Sequence, residues 1–160
     1  MSEKNKIIKL AQNNIKMRLF LFLKLPLAFI AGLKIVFISP EKAVVTIPYK
    51  FLTKNPFRSI YFAALSMAAE LSTGILSLAA IAETKKPISM LVLDMKASFT
   101  KKAVSKISFT CLEGQKITDA VQACLNSDEG QTVAVQSIGI DKKGNEVAEF
   151  EFVWTFKKKN

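Results

Sequence analysis

The chain has no histidine among its 160 residues. That absence removes Ser-His-Asp and Cys-His nucleophilic pairs and histidine-ligated metal sites. Acid–base chemistry must then rest on carboxylates, Lys, Tyr, Cys or backbone dipoles. Cysteine is almost as scarce. Cys111 and Cys124 are the only two, and their separation is not a metal-ligand spacing. Both fall in apolar-patterned stretches, where a cysteine acts as a small buried hydrophobe. That usage points to a reducing cytoplasm. No internal repeat, low-complexity linker or domain boundary interrupts the chain. One domain over 1–160 is expected.

Acidic residues are outnumbered, 13 against 23 Lys and Arg, for a net charge of +10. A basic balance suits phosphate-bearing ligands, nucleic acid or an anionic membrane surface. Scattered lysines also simply solvate a surface, and Lys4, Lys6, Lys9 and Lys157–Lys159 gather near the ends.

Clean membrane-length apolar runs are missing too. Leu19 to Ile38 is interrupted by Lys24, Pro26 and Lys34, so no charge-free piece approaches the ~20 residues a spanning helix needs. The start lacks the order of a signal peptide. Ile60 to Ala82 is long enough, but Glu70 sits in its middle. A mid-bilayer carboxylate costs about 2.5–3.5 kcal/mol on insertion scales. A helix apolar all round also serves as the core helix of a soluble domain. The flanking segments read as strands that need such a helix, so no transmembrane segment is expected.

The order of elements follows from periodicity. Ile8, Ala11, Ile15, Leu19 and Phe22 recur at steps of three and four, predicting an amphipathic N-terminal helix over 1–24, with Pro26 ending it or sitting just past its end. Leu33–Ile38 and Ala43–Ile47 read as a hairpin around Ser39-Pro40-Glu41-Lys42. Asn55-Pro56 predicts the cap and first turn of the long helix, with Ser59 as a rival cap. Thr84-Lys85-Lys86-Pro87 stops it. Ile88–Lys96 places Leu91, Leu93 and Met95 on one strand face. Ala103–Leu112 alternates with Ile107, Phe109 and Cys111 inward. Ile117, Ala120, Val121, Cys124 and Leu125 fit a short helix or a bulged strand. Thr132–Ile140 and the stretch holding Ala148, Phe150, Phe152, Trp154 and Phe156 are strands joined by Asp141–Asn145. Residues 157–160 read as a basic tail. An α+β fold follows, with an antiparallel sheet of about six strands whose apolar face only the long helix can cover.

That order, with Asn55-Pro56-Phe57, Ala69-Glu70-Leu71 and Gly74, resembles the hotdog superfamily, and most nearly an uncharacterised branch near the phenylacetyl-CoA-type thioesterases. The resemblance spans about Leu25 to Phe156. It implies a curled sheet wrapped around a central helix and a homodimer or dimer of dimers. It also implies an acyl-CoA substrate lying at the dimer interface. The helix N-terminus would polarise the thioester carbonyl, and a carboxylate on the helix would act as base or nucleophile. The chain departs from the pattern at Phe57-Arg58-Ser59, where many relatives carry His-Gly-Gly.

Candidate site residues follow. Glu70 stands alone in an apolar helix, where burial raises a carboxyl pKa toward the range of a general base, or where a hydrogen bond to a nearby hydroxyl or backbone group makes it a fixture of a dimer interface. Asn55, Ser59 and the amides near Ile60 and Tyr61 are candidates for the oxyanion site, or plain caps. Ser66 and Thr73 lie a turn either side of Glu70 and are ordinary small residues against the sheet or candidates to position water. Arg58, Lys101 and Lys102 are candidates for a CoA phosphate or for solvated surface. Tyr49 and Phe51 could line a channel or cap the core edge. No metal or bound cofactor is implied. The leading reading is acyl-CoA thioester hydrolysis, and the alternative is a non-catalytic acyl-CoA or acyl-chain binder. A nucleic-acid partner is not expected, because the strongest aromatics alternate into the presumed core and leave no stacking platform.

Overall fold

The computed structural model describes residues 6–159. The N-terminal helix predicted over 1–24 is broken into α1 (Lys6–Gln12) and α2 (Asn14–Lys24), its first five residues lie outside the described ones, and a further short helix, α3 (Pro26–Ala31), follows it. Asn13 makes the first break. Its backbone is extended, and its side chain accepts a hydrogen bond from the Lys16 amide at 3.0 Å, the geometry of an N-cap. Pro26 sits just past the end of α2, as expected, and also begins α3, where its missing N–H costs nothing. The break resets the helical phase. Ile8 and Ala11 remain inside, but Met17 and Leu21 become the inward side of α2. Ile15, Leu19 and Phe22, predicted on the same inner stripe, are exposed.

Six strands follow: β1 (Lys34–Ile38), β2 (Ala43–Ile47), β3 (Ile88–Phe99), β4 (Ile107–Cys111), β5 (Gln131–Ile140) and β6 (Glu146–Lys158). They form one antiparallel sheet in the order β1-β2-β4-β5-β6-β3. The long helix α4 (Phe62–Thr84) lies against β2, β4, β5 and β6, while α1, α3 and α5 (Gly114–Leu125) cover its other sides. Every residue from Leu71 to Ser77 is buried, which is why the sequence there shows no polar face. This is the expected hotdog arrangement. By length and composition α4 could cross a membrane, but 72% of its apolar window is buried inside the fold.

The β6 alternation is realised in full, with Ala148, Phe150, Phe152, Trp154 and Phe156 all in the core. The buried hydroxyls of Ser72 and Ser137 satisfy each other, as buried polar groups usually do: the two Oγ atoms are 2.7 Å apart, and Ser72 Oγ also donates to the Ala69 carbonyl. Cys111 and Cys124 are free and buried, and burial pushes the Cys111 thiol up to about 11. The segment after Gly114 is the helix rather than the bulged strand.

Three further expectations need correction. In β3 the pairing with β6 shifts between Val92 and Asp94, so Leu93 is an extra residue. Such a bulge inverts the side-chain alternation. Val92 and Met95 pair with the core residues Trp154 and Phe152, whereas Leu91 pairs with the outward Thr155. Leu91, Leu93 and Met95 therefore share no common face, and all three are exposed. Secondly, the strand predicted over 103–112 forms only from Ile107. Finally, the expected tail begins inside β6, and Lys158 reaches Asp128 at 3.0 Å.

Candidate active site

The loop before α4 is organised by Asn55, but not as a helix cap. Its Oδ1 accepts from the amides of Phe57 and Ser59 and from Ser59 Oγ, at 3.0–3.2 Å. Asparagine often closes a local turn in this way. The turn holds Arg58 at φ 59, with its carbonyl accepting from Tyr49 Oη at 3.0 Å. The helix therefore starts at Phe62, six residues after the Pro56 start that an Asn55 cap implies and two after the Ile60 start that the rival Ser59 cap implies, with Tyr61 as N-cap and no side chain capping it. The amides of Ile60 and Tyr61 are already bonded to the carbonyls of Ala103 and Thr53, so they are not free to hold an oxyanion. The next two, Phe62 and Ala63, have no acceptor among the described residues and carry the positive end of the helix dipole.

Two cavities meet at Phe62. The larger, about 610 Å³, brings together Asn55, Ser59, Tyr61, Phe99, Lys101 and Lys102. The second, about 360 Å³, runs between α4 and β3 and holds Ser66 and Glu70 against Met67, Val92, Met95 and Phe152. The ring of Phe62 lies edge-on to Phe99 at 6.4 Å, and Phe99 to Phe150 at 5.6 Å. A third cavity of about 280 Å³ also reaches Glu70, from the α2–α3 corner, past Leu25, Leu27 and Leu71.

Glu70 is half-buried, and no hydrogen bond or ion pair engages its carboxylate among the described residues. Desolvation by its apolar walls raises its pKa above the ordinary carboxylate range. Lys24 lines the third cavity with it but forms no ion pair with it. Gly74, one turn on, leaves room for this side chain. A Cβ there would lie 3.1 Å from Glu70 Oε1 and 3.4 Å from the Trp154 ring. The arrangement, among the described residues, is an unpaired carboxylate in an apolar groove, on a helix whose Phe62 and Ala63 amides have no acceptor.

The family described as "Domain of unknown function (DUF4442)" matches residues 15–156. The chain belongs to this family. No curated protein matches it. Solved structures share the fold of this DUF4442 chain at low identity. A Pseudomonas aeruginosa protein described as a probable thioesterase superposes with a TM-score of 0.77 at 19% identity, covering 91% of this chain and 96% of that one. A Haemophilus influenzae thioesterase gives 0.66 at 13%, with 91% of each chain covered. The PaaI protein of the E. coli phenylacetic acid degradation operon gives 0.64 at 13%, with 97% of each covered. These likenesses establish the hotdog fold for the DUF4442 chain.

Not every predicted site residue joins this groove. Arg58 is exposed and lines none of these cavities. Tyr49 packs on the core edge, and Phe51 points to solvent. Ser66 does share the Glu70 cavity, and its hydroxyl contacts Met95 Sδ at 3.4 Å. Thr73 does not. It is fully buried, accepts from Trp154 Nε1 at 2.9 Å and donates to the Glu70 carbonyl at 2.9 Å. Its role is to satisfy the tryptophan. Thr73→Val should therefore strand a buried donor and cost about 1–3 kcal/mol in chemical denaturation. Any catalytic activity of the DUF4442 chain should persist in the folded variant. The groove walls Phe62, Met95 and Phe99 were missed by the sequence reading. Their only signal was apolar character at positions that a regular strand or helix start would have buried.

Proposed function

We propose that the protein hydrolyses acyl-CoA thioesters to a free acid and CoA, as a homodimer or dimer of dimers in the cytoplasm. The observation that carries this reading is Glu70: a desolvated carboxylate without a partner among the described residues, held in an apolar groove. Thioesterases solved elsewhere share the fold around it. As general base the carboxylate takes a proton from water while the water oxygen attacks the thioester carbon. The carbon–sulfur bond then breaks and the proton passes to the leaving CoA sulfur. Direct attack by Glu70 would instead form an anhydride that water cleaves. The amides of Phe62 and Ala63 suit the developing oxyanion, and Lys101 and Lys102 suit the CoA phosphates. Asn55 and Ser59 shape the loop that presents them.

Phe62 and Glu70 are eight residues apart, about 12 Å along the helix axis. One thioester carbonyl does not span that distance. A two-fold pairing that sets two copies of α4 side by side would bring the free amides of one protomer toward the partner's Glu70. The strand β3 offers the means. It is a twelve-residue edge whose one paired neighbour is β6, and Leu91 and Leu93 stand exposed on it. A long apolar edge favours pairing with another strand, and two-fold pairing is the commonest form. Sedimentation at micromolar concentration should show a dimer or larger, and Leu91→Asp/Leu93→Asp should shift it toward monomer. A wild-type monomer would contradict the assembly.

A second reading, a non-catalytic acyl-CoA binder, is favoured by one feature: the Ile60 and Tyr61 amides are already occupied. A panel of acyl-CoAs of varied chain length, assayed for released thiol, separates the two. Thiol release that Glu70→Gln abolishes supports hydrolysis. Saturable binding without release supports the binder.

A further inference from the structure

The stripe that the Asn13 break turns outward is left exposed among the described residues. On α2 and α3, Ile15, Leu19, Phe22, Leu23, Leu27 and Ile30 are each 54–82% exposed. Phe51 and Leu52, in a 3-10 turn that touches α3, extend the same apolar character. Interleaved with these side chains are Lys16, Arg18 and Lys24, all exposed. The Arg18 guanidinium lies 5.1 Å from the centre of the Phe29 ring, so charge is held at the apolar face itself. From residue 6 to residue 69 the chain carries ten Lys and Arg but a single acid, Glu41. The basic excess is therefore concentrated in the half of the sequence that forms this surface.

We propose that the outward face of α2 and α3 docks on an anionic phospholipid bilayer. Apolar side chains flanked by Lys and Arg are what an interfacial helix needs: the first sink into the headgroup–acyl boundary while the second meet lipid phosphates. A second copy of this chain is the poorer occupant. Two-fold pairing of the face would set Lys16, Arg18 and Lys24 against themselves, and lysine is depleted in protein interfaces. Contact is peripheral, because α2 and α3 have eleven and six residues, too few to span a bilayer. The same corner lines the cavity that reaches Glu70 through Leu25 and Leu27. Docking would set that mouth at the lipid surface, where acyl chains partition. This consequence rests on the thioesterase reading; the docking itself does not, and it is tested without turnover.

The test is co-sedimentation of the full chain with vesicles of phosphatidylcholine alone or mixed with phosphatidylglycerol, at low and high salt. Binding to the mixed vesicles is expected, weakening strongly at high salt and in pure phosphatidylcholine. Arg18→Gln/Lys24→Gln should lower the partition coefficient roughly 25-fold, about fivefold per charge. Leu19→Gln/Leu23→Gln should lower it by about tenfold or more, with an unchanged melting temperature because both positions are already exposed. Wild-type protein that ignores the mixed vesicles would overturn the proposal. So would binding that survives both double variants, or a loss of oligomer mass in Leu19→Gln/Leu23→Gln, which would assign the face to a second copy.

Discussion

Glu70→Gln is expected to fold normally and to lose acyl-CoA hydrolysis by about 10²–10⁴-fold in rate, the usual cost of removing a general base. The amide matches the carboxyl in size, so the contact over Gly74 survives, but it accepts no proton at neutral pH. The sign of the stability change identifies the cause. Burial raises the Glu70 pKa above its unfolded value, so the folded state binds the proton more tightly than the unfolded chain does. Stability is then highest below the unfolded pKa. It falls as pH rises from there through the folded pKa, where an ionised carboxylate must stay desolvated. Gln carries no such penalty, so above that window Glu70→Gln should be as stable as wild type or more so. Thermal melts of both proteins across mildly acidic to neutral pH check this. Turnover on the same samples should show a wild-type acid limb displaced above the ordinary glutamate range. Undiminished hydrolysis by the folded variant would move the search to the Phe62 and Ala63 amides.

Phe150→Ala should give the largest loss of stability, about 3–5 kcal/mol, or roughly 6–20 °C in Tm for a chain of this length. Phe150 is fully buried and touches three other rings, Phe99, Phe109 and Phe152, at centroid distances of 5.6–5.9 Å. Removing it leaves a cavity that these rings, anchored on β3, β4 and β6, fill only in part. The effect should also reach the groove. Phe99 rests on Phe150 and lines the larger cavity beside Phe62. Folded Phe150→Ala protein should therefore bind acyl-CoA more weakly, through KM more than through kcat, since neither Glu70 nor the α4 N-terminus moves directly. Calorimetry with steady-state kinetics below the lowered Tm checks both parts. A stability loss under about 1 kcal/mol would mean that the ring cluster does not organise the core as described.

Much of the fold was legible because its signals are local. The β6 alternation, the hairpin of β1 and β2, the all-apolar α4 and its stop at Lys85 depend on periodicity and turn residues within a few positions of one another. Glu70 was legible for the same reason: one carboxylate in an apolar helix is visible without coordinates. Errors arose where a single residue shifts the phase of everything after it. Asn13 rotates α2 so that Ile15 and Leu19 face outward, Leu93 inverts β3, and Asn55 spends its side chain on its own turn rather than on a helix cap. Each competes with a regular pattern through one local hydrogen bond or one added residue, and composition does not record which competitor wins.

By itself, the sequence determined the order of elements, the helix that must be buried and the lone carboxylate upon it, since those follow from the spacing of apolar and polar side chains. Only the tertiary structure decided which groups meet. It set Thr73 under Trp154 rather than beside Glu70, joined the Asn55 loop to Lys101 and Lys102 in one cavity, and left the α2 stripe exposed. Those outcomes depend on distances between residues tens of positions apart, which the curvature of the sheet around α4 sets and no local pattern encodes.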